Sequence, residues 1–197
     1  MSQEKYIGVK FKAIKLGDFK PTAAEKKLII QLIKVGQEYC RLGFSDKNGG
    51  NLSARTKSGF IIKRTGSYPD KLKSGDFVLV AKTSPQKVYY YGSALPSSEA
   101  RLHDGIYGKR QDINCVLHAH DKIAINSKIK FSDIGYIKQI TYGSLKSAHA
   151  AAKQAQNFNY LIQKSHGVVA LGKNIVQAQK IIKKYHDRFK KAASAAA

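Results

Sequence analysis

Residues 113–120 run Ile113, Asn114, Cys115, Val116, Leu117, His118, Ala119, His120, an apolar stretch of strand length that closes on two histidines. Side chains alternate along a strand with a period of two, so both imidazoles project from one face. Upstream, a helix is predicted from Ser97 to about Arg110. Before it, GFIIKRT (59–65), DFVLVAK (76–82) and VYYYG (88–92) read as three strands separated by Pro- and Gly-containing turns. Downstream, a weak strand is expected near Ile137 to Thr141, then a helix over Ser144 to Gln156. YLIQK (160–164) and GVVALG (167–172) are two further strands flanking a Ser165-His166-Gly167 turn.

The ends of the chain complete the pattern. Residues 8–16 alternate apolar and basic like a short edge strand. A helix follows from Thr22, whose hydroxyl caps it while Glu25 reciprocates three residues on. Its apolar stripe is Leu28, Ile29, Leu32, Ile33, Tyr39 and Leu42, and Gly43 ends it. SDKNGGNLSAR (45–55) is a turn-rich loop entering a short strand. The last helix starts at Asn174, with Gln177 in its first turn, and buries Ile175, Ala178, Ile182, Tyr185 and Phe189. Consecutive strands among flanking helices, without regular βαβ alternation, predict one α/β domain with a mostly antiparallel sheet covered by helices. We place it at residues 22–190, preceded by an N-terminal extension (1–21) with its short strand and followed by a flexible tail (191–197).

Composition narrows the classes. The chain has 197 residues, 43% of them hydrophobic, enough for a core and too many for a disordered polymer. No apolar run approaches the roughly 20 residues that cross a bilayer. The N-terminus lacks the pattern of a secretory signal, and Cys40 and Cys115 suggest no disulfide framework. A cytoplasmic protein is expected. Lys and Arg total 35 against 13 Asp and Glu, a formal charge of +22. Such a balance suits a polyanionic partner, yet the cations are spread over nearly every segment, as on a uniformly solvated basic surface. Nucleic-acid binding is therefore not the favoured reading.

Three stretches could carry chemistry. His118 and His120 on one strand face could hold one cation, or could be ordinary strand histidines. His166, 46 positions after His120, is the candidate third imidazole, and three histidines with an open fourth position are the ligand set of a catalytic zinc. Pro96-Ser97-Ser98-Glu99 opens a helix, where free N–H groups and the dipole suit a phosphate, or merely a cap. Asn48-Gly49-Gly50-Asn51-Leu52-Ser53 and Arg64-Thr65-Gly66-Ser67 are polar, glycine-bearing loops that could present donors to an anion, and neither is a Walker A or dinucleotide fingerprint.

In succession, NGGNLSAR, IIKRTGSYPDKL, ALPSSEARLH, CVLHAH and KSHGVVALGKN resemble the class II aldolase/adducin family, most closely its fuculose-phosphate aldolase type, from about Ala24 to Phe189. The resemblance implies an α/β/α sandwich. It also implies zinc held by His118, His120 and His166, a substrate phosphate held by Asn51, Thr65, Gly66, Ser97 and Ser98, and Glu99 as acid/base. The implied reaction is reversible cleavage of a ketose 1-phosphate into dihydroxyacetone phosphate and an aldehyde, in a homotetrameric ring with interfacial sites. Glu99, Thr65-Gly66 and the second serine of PSSE favour an aldolase over the family's 4-epimerases and methylthioribulose-phosphate dehydratases. The intact histidines disfavour an adducin-like structural role. A non-enzymatic basic binding module is the remaining alternative.

The family's aldolases bring a tyrosine from the adjoining subunit, on a longer insert between the second and third histidines and a C-terminal tail. That segment looks shorter here, so Tyr136 and Tyr142 are the candidate proton donors. His103, one turn past Glu99, either orients it or is a satisfied structural histidine. Asp121 either supports the metal pair or simply ends the strand, and His149 and His186 are expected at the surface.

Overall fold

The computed structural model describes residues 8–45 and 47–195. Among these residues nine strands form one sheet: β1 (Lys12–Gly17), β2 (Asn51–Thr56), β3 (Gly59–Lys63), β4 (Phe77–Thr83), β5 (Lys87–Tyr91), β6 (Cys115–Ala119), β7 (Gly135–Ile137), β8 (Tyr160–Gln163) and β9 (Gly167–Gly172). Their order is β1-β5-β4-β3-β2-β6-β9-β8-β7. Among the described residues only the two outermost pairings, β1 with β5 and β7 with β8, are parallel. Among the described residues five α-helices cover it: α1 (Ala23–Arg41), α2 (Ala100–Lys109), α3 (Lys122–Asn126), α4 (Leu145–Ala155) and α5 (Ile175–Ala195).

The two faces carry separate cores, as alternation along central strands requires. Cys115 and Leu117 of β6 join Ile29 and Leu32 of α1 and Ile182 and Phe189 of α5 on one face. Val116, Val169 and Leu161 meet Leu102 and Ile106 of α2 and Ala151 of α4 on the other. The α/β/α sandwich expected from the sequence is the observed fold. No helix among the described residues is long and apolar enough to cross a membrane.

Several local readings hold. Thr22 and Glu25 form the capping box of α1, and Asn174 Oδ1 accepts the Gln177 amide at 2.8 Å to start α5. Others shift. The edge strand begins at Lys12 and pairs with β5. β7 occupies residues 135–137, ahead of the expected 137–141. α2 starts at Ala100, leaving Ser97 and Ser98 in the turn before it. α5 continues to Ala195, so residues 191–195 are helical where a flexible tail was expected, and 196–197 lie outside the described residues.

Candidate metal and active site

The site lies at one end of the sheet, on the face covered by α2 and α4. β6 delivers His118 there, 1% exposed. Its Nδ1–H donates to the Val168 carbonyl at 3.0 Å, because a carbonyl can only accept. That bond fixes the tautomer and leaves Nε2 as a bare lone pair. His120 sits one residue beyond the strand, its amide bonded to the Phe44 carbonyl at 2.7 Å. His166 arrives from the turn between β8 and β9, with its ring stacked on His118 at 4.9 Å. One nitrogen from each of the three rings falls within 4.8 Å of the others.

Two glycines permit this approach. A Cβ on Gly167 would lie 2.3 Å from His118 Cε1 and 2.7 Å from the Ala119 carbonyl. Gly50, with φ of +76°, brings its backbone against the His118 carbonyl, where a Cβ would stand at 2.7 Å.

Glu99, 4% exposed, closes the cluster from the turn before α2. Its Oε2 lies 3.1 Å from His118 Nε2 and its Oε1 3.3 Å from His166 Nε2. Burial alone would push the Glu99 carboxyl up, but the positive charge that the facing His118 and His166 rings carry in acid, together with the Asn51 amide, outweighs it, so the carboxyl ionises well below the usual range. Burial pushes His118 down to about 3, so its imidazole is neutral at pH 7. A bare imidazole lone pair then faces a carboxylate oxygen across 3.1 Å, with no donor between them. Two acceptors at that distance repel unless a cation lies close to both. The donor set, three imidazoles beside one carboxylate, therefore fits a divalent metal, and neutral imidazoles suit zinc.

The residues expected at a phosphate converge beside it. Arg64 and Pro96 form an isolated antiparallel bridge. The Thr65 amide donates to the Leu95 carbonyl at 3.0 Å, and the Ser97 amide to the Lys63 carbonyl at 3.2 Å. Thr65, Gly66, Ser97 and Ser98 thus share one corner. Asn51 is engaged otherwise, its Nδ2 donating to Glu99 Oε2 at 2.8 Å. Sequence reading missed Lys63. Its buried ammonium donates to the Ser67 carbonyl at 2.7 Å and the Asn48 carbonyl at 3.4 Å, tying the two glycine-bearing loops together. Burial pushes that ammonium down to about 8. It also missed Arg101, whose guanidinium gathers the carbonyls of Lys10, Pro85 and Gly143.

The two tyrosines separate. Tyr142 stacks on His166 with ring centres 5.8 Å apart, and Lys10 Nζ lies 4.0 Å from its ring centre. Tyr136 packs with the α1/α5 core on the opposite face, and its hydroxyl accepts the Phe131 amide at 2.9 Å. Asp121 caps α3, a helix the sequence reading did not include, and accepts from His186 Nδ1 at 3.0 Å. His186 is thus largely buried, with a side-chain exposure of 18%, and not a surface residue.

A mostly antiparallel α/β/α sandwich with a three-histidine cluster and a buried carboxylate at one sheet end defines a class, and comparison with known proteins names it. The family model described as Class II Aldolase and Adducin N-terminal domain matches residues 30–190, and the chain belongs to that family. It is 33% identical over 162 residues to the L-fuculose phosphate aldolase of Methanocaldococcus jannaschii, spanning 75% of this chain and 86% of that one. A methylthioribulose-1-phosphate dehydratase of Pseudoalteromonas translucida is 35% identical over 96 residues, spanning 49% of this chain and 44% of its own. The crystal structure of the L-fuculose-1-phosphate aldolase from Thermus thermophilus superposes with a TM-score of 0.75 at 19% identity, covering 87% of this chain and 95% of that one.

Proposed function

We propose that this chain is a zinc-dependent aldolase that cleaves a ketose 1-phosphate, such as L-fuculose 1-phosphate, into dihydroxyacetone phosphate and an aldehyde. The observation that carries the reading is the buried Glu99 carboxylate, 3.1 and 3.3 Å from the nitrogens of two clustered histidines. His118, His120 and His166 would hold the metal. When bound, it supplies Lewis-acid polarisation of the substrate carbonyl.

The chain's own groups do the rest. Thr65, Gly66, Ser97 and Ser98 would bind the phosphate and fix the substrate's orientation from a distance. In the condensing direction Glu99 removes a proton from carbon 3 of dihydroxyacetone phosphate. The new bond forms to the aldehyde carbon, and Tyr142 gives a proton to the aldehyde oxygen. Cleavage is the reverse. Tyr142 is our choice of donor over Tyr136 because its ring stacks on His166.

The test is loss of the carbon-3 proton signal of dihydroxyacetone phosphate in heavy water, followed by NMR on zinc-loaded protein. Exchange that needs both zinc and Glu99, absent in Glu99→Gln, supports the aldolase half-reaction. No exchange with zinc bound overturns it. Likeness to the dehydratase over 96 residues keeps dehydration as the second reading. Product analysis separates the two, because only the aldolase changes carbon-chain length. A cytoplasmic homotetramer is the expected form, with light scattering in solution as its check.

A further inference from the structure

Behind Glu99 runs a buried polar chain that the reaction above does not use. Asn51 Nδ2 donates to Glu99 Oε2 at 2.8 Å. Asn51 Oδ1 meets His103 Nε2. His103 Nδ1 lies 2.6 Å from Ser53 Oγ, which lies 2.7 Å from the Tyr107 hydroxyl. Asn51, Ser53 and His103 are at most 5% exposed. The spacing follows from matched repeats. Residues 51 and 53 are successive same-face positions of β2, about 6.6 Å apart. His103 and Tyr107 are one turn apart on one face of α2, about 6 Å, and Glu99 caps that helix four residues before His103. Strand and helix therefore mesh rung by rung.

Every hydrogen in the chain has one allowed place. Glu99 can only accept, so Asn51 turns its NH₂ toward it and its carbonyl oxygen toward His103. That oxygen can only accept, so His103 carries its proton on Nε2. Nδ1 must then accept from Ser53, and Ser53 in turn accepts from Tyr107. We propose that His103 is a positioning residue. Through Asn51 it holds the Glu99 carboxylate at the angle and distance from which it exchanges a proton with substrate. Burial agrees, pushing the His103 imidazole down to about 4, so that it stays neutral at neutral pH. If the proton moved to Nδ1, Asn51 would face a lone pair, its amide would flip, and Glu99 would lose its donor.

The proposal rests on the aldolase reading only for its kinetic consequence, and two measurements divide the questions. First, ¹⁵N shifts of the His103 ring in zinc-loaded protein should show the Nε2–H form throughout pH 6–8 in the presence of Asn51, and a mixture in Asn51→Ala. An Nδ1–H or charged ring overturns the chain of bonds whatever the protein's substrate. Second, His103→Phe should lower the rate of carbon-3 exchange about tenfold or more at saturating substrate, with KM and zinc content within twofold of the parent. His103→Gln, whose Nε2 can still donate to Asn51, should recover most of that loss. The double variant His103→Phe/Asn51→Ala should be no slower than the worse single variant. Equal rates in the Phe and Gln variants, or additive losses, overturn the positioning role. The expected ring form without turnover of any sugar phosphate rejects the aldolase reading and supports the bonded chain.

Discussion

Gly167 occupies a point where no side chain fits. Its missing Cβ leaves room for the His118 ring, which would otherwise be met at 2.3 Å. An alanine there must turn the ring away from the Val168 carbonyl, and with it the Nε2 lone pair. We expect Gly167→Ala to fold, with its zinc affinity lowered at least tenfold, because loss of an orienting partner typically has that effect. Competition with a chelating dye measures it, and unchanged affinity would contradict the packing argument. His103 makes a second residue-scale prediction, in pH. Its imidazole is held at about 4 in the folded chain against 6.5 when unfolded. Between those values only the unfolded chain takes up the proton, so stability is full above 6.5 and falls as the pH drops toward 4. From pH 7 to 5 the metal-free parent should lose about 2 kcal/mol more than His103→Gln. Urea unfolding at both pH values checks the sign and the size.

At the scale of elements, α1 is anchored by the Thr22–Glu25 box, with the Thr22 amide donating to Glu25 Oε2 at 2.8 Å. Thr22→Ala should cost about 1 kcal/mol of unfolding free energy. It should leave carbon-3 exchange unaltered, because α1 packs on the face opposite Glu99. Elements of this kind are legible in a sequence, since their signals are local: a cap, a stripe, a period of two. Thus α1, α5, β3, β4, β6 and β9 stand close to where their patterns put them. What was not legible depends on partners far along the chain. The α3 helix has only five residues and is held by its Asp121 cap, so its sequence reads as a loop. β7 takes its register from β8, through Gly135↔Leu161 and Ile137↔Gln163, and not from its own alternation. The motifs named the histidines and Glu99. The links from Asn51 and Ser53 to His103 cross 52 and 50 residues and become visible only once β2 and α2 mesh.

Over the whole molecule the dominant physical fact is charge. Thirteen carboxylates face 35 lysines and arginines. Several carboxylates are already committed, Asp76 to Arg64, Asp112 to Arg110 and Asp133 to Arg188 among them. The excess is distributed, with lysines on strands, turns and the outer face of α5 alike. Self-repulsion of this kind acts against the compact state and is screened over about 10 Å at 0.1 M salt. The folded chain should therefore gain stability as sodium chloride rises from about 0.02 M to about 0.5 M, where screening shortens to a few ångströms. A melting temperature that climbs by several degrees over that range is the expected outcome. The same charge should capture heparin or single-stranded DNA at low salt, with an affinity that falls steeply on a log–log plot as salt increases. Because that attraction needs no organised site, Glu99→Gln and His118→Ala should bind the polyanion as the parent does, while His118→Ala loses tight zinc binding, Glu99→Gln keeps it, and neither variant exchanges the carbon-3 proton. Polyanion affinity that persists at 0.5 M salt would point instead to an arranged binding surface, and would return the basic module to the front of the alternatives.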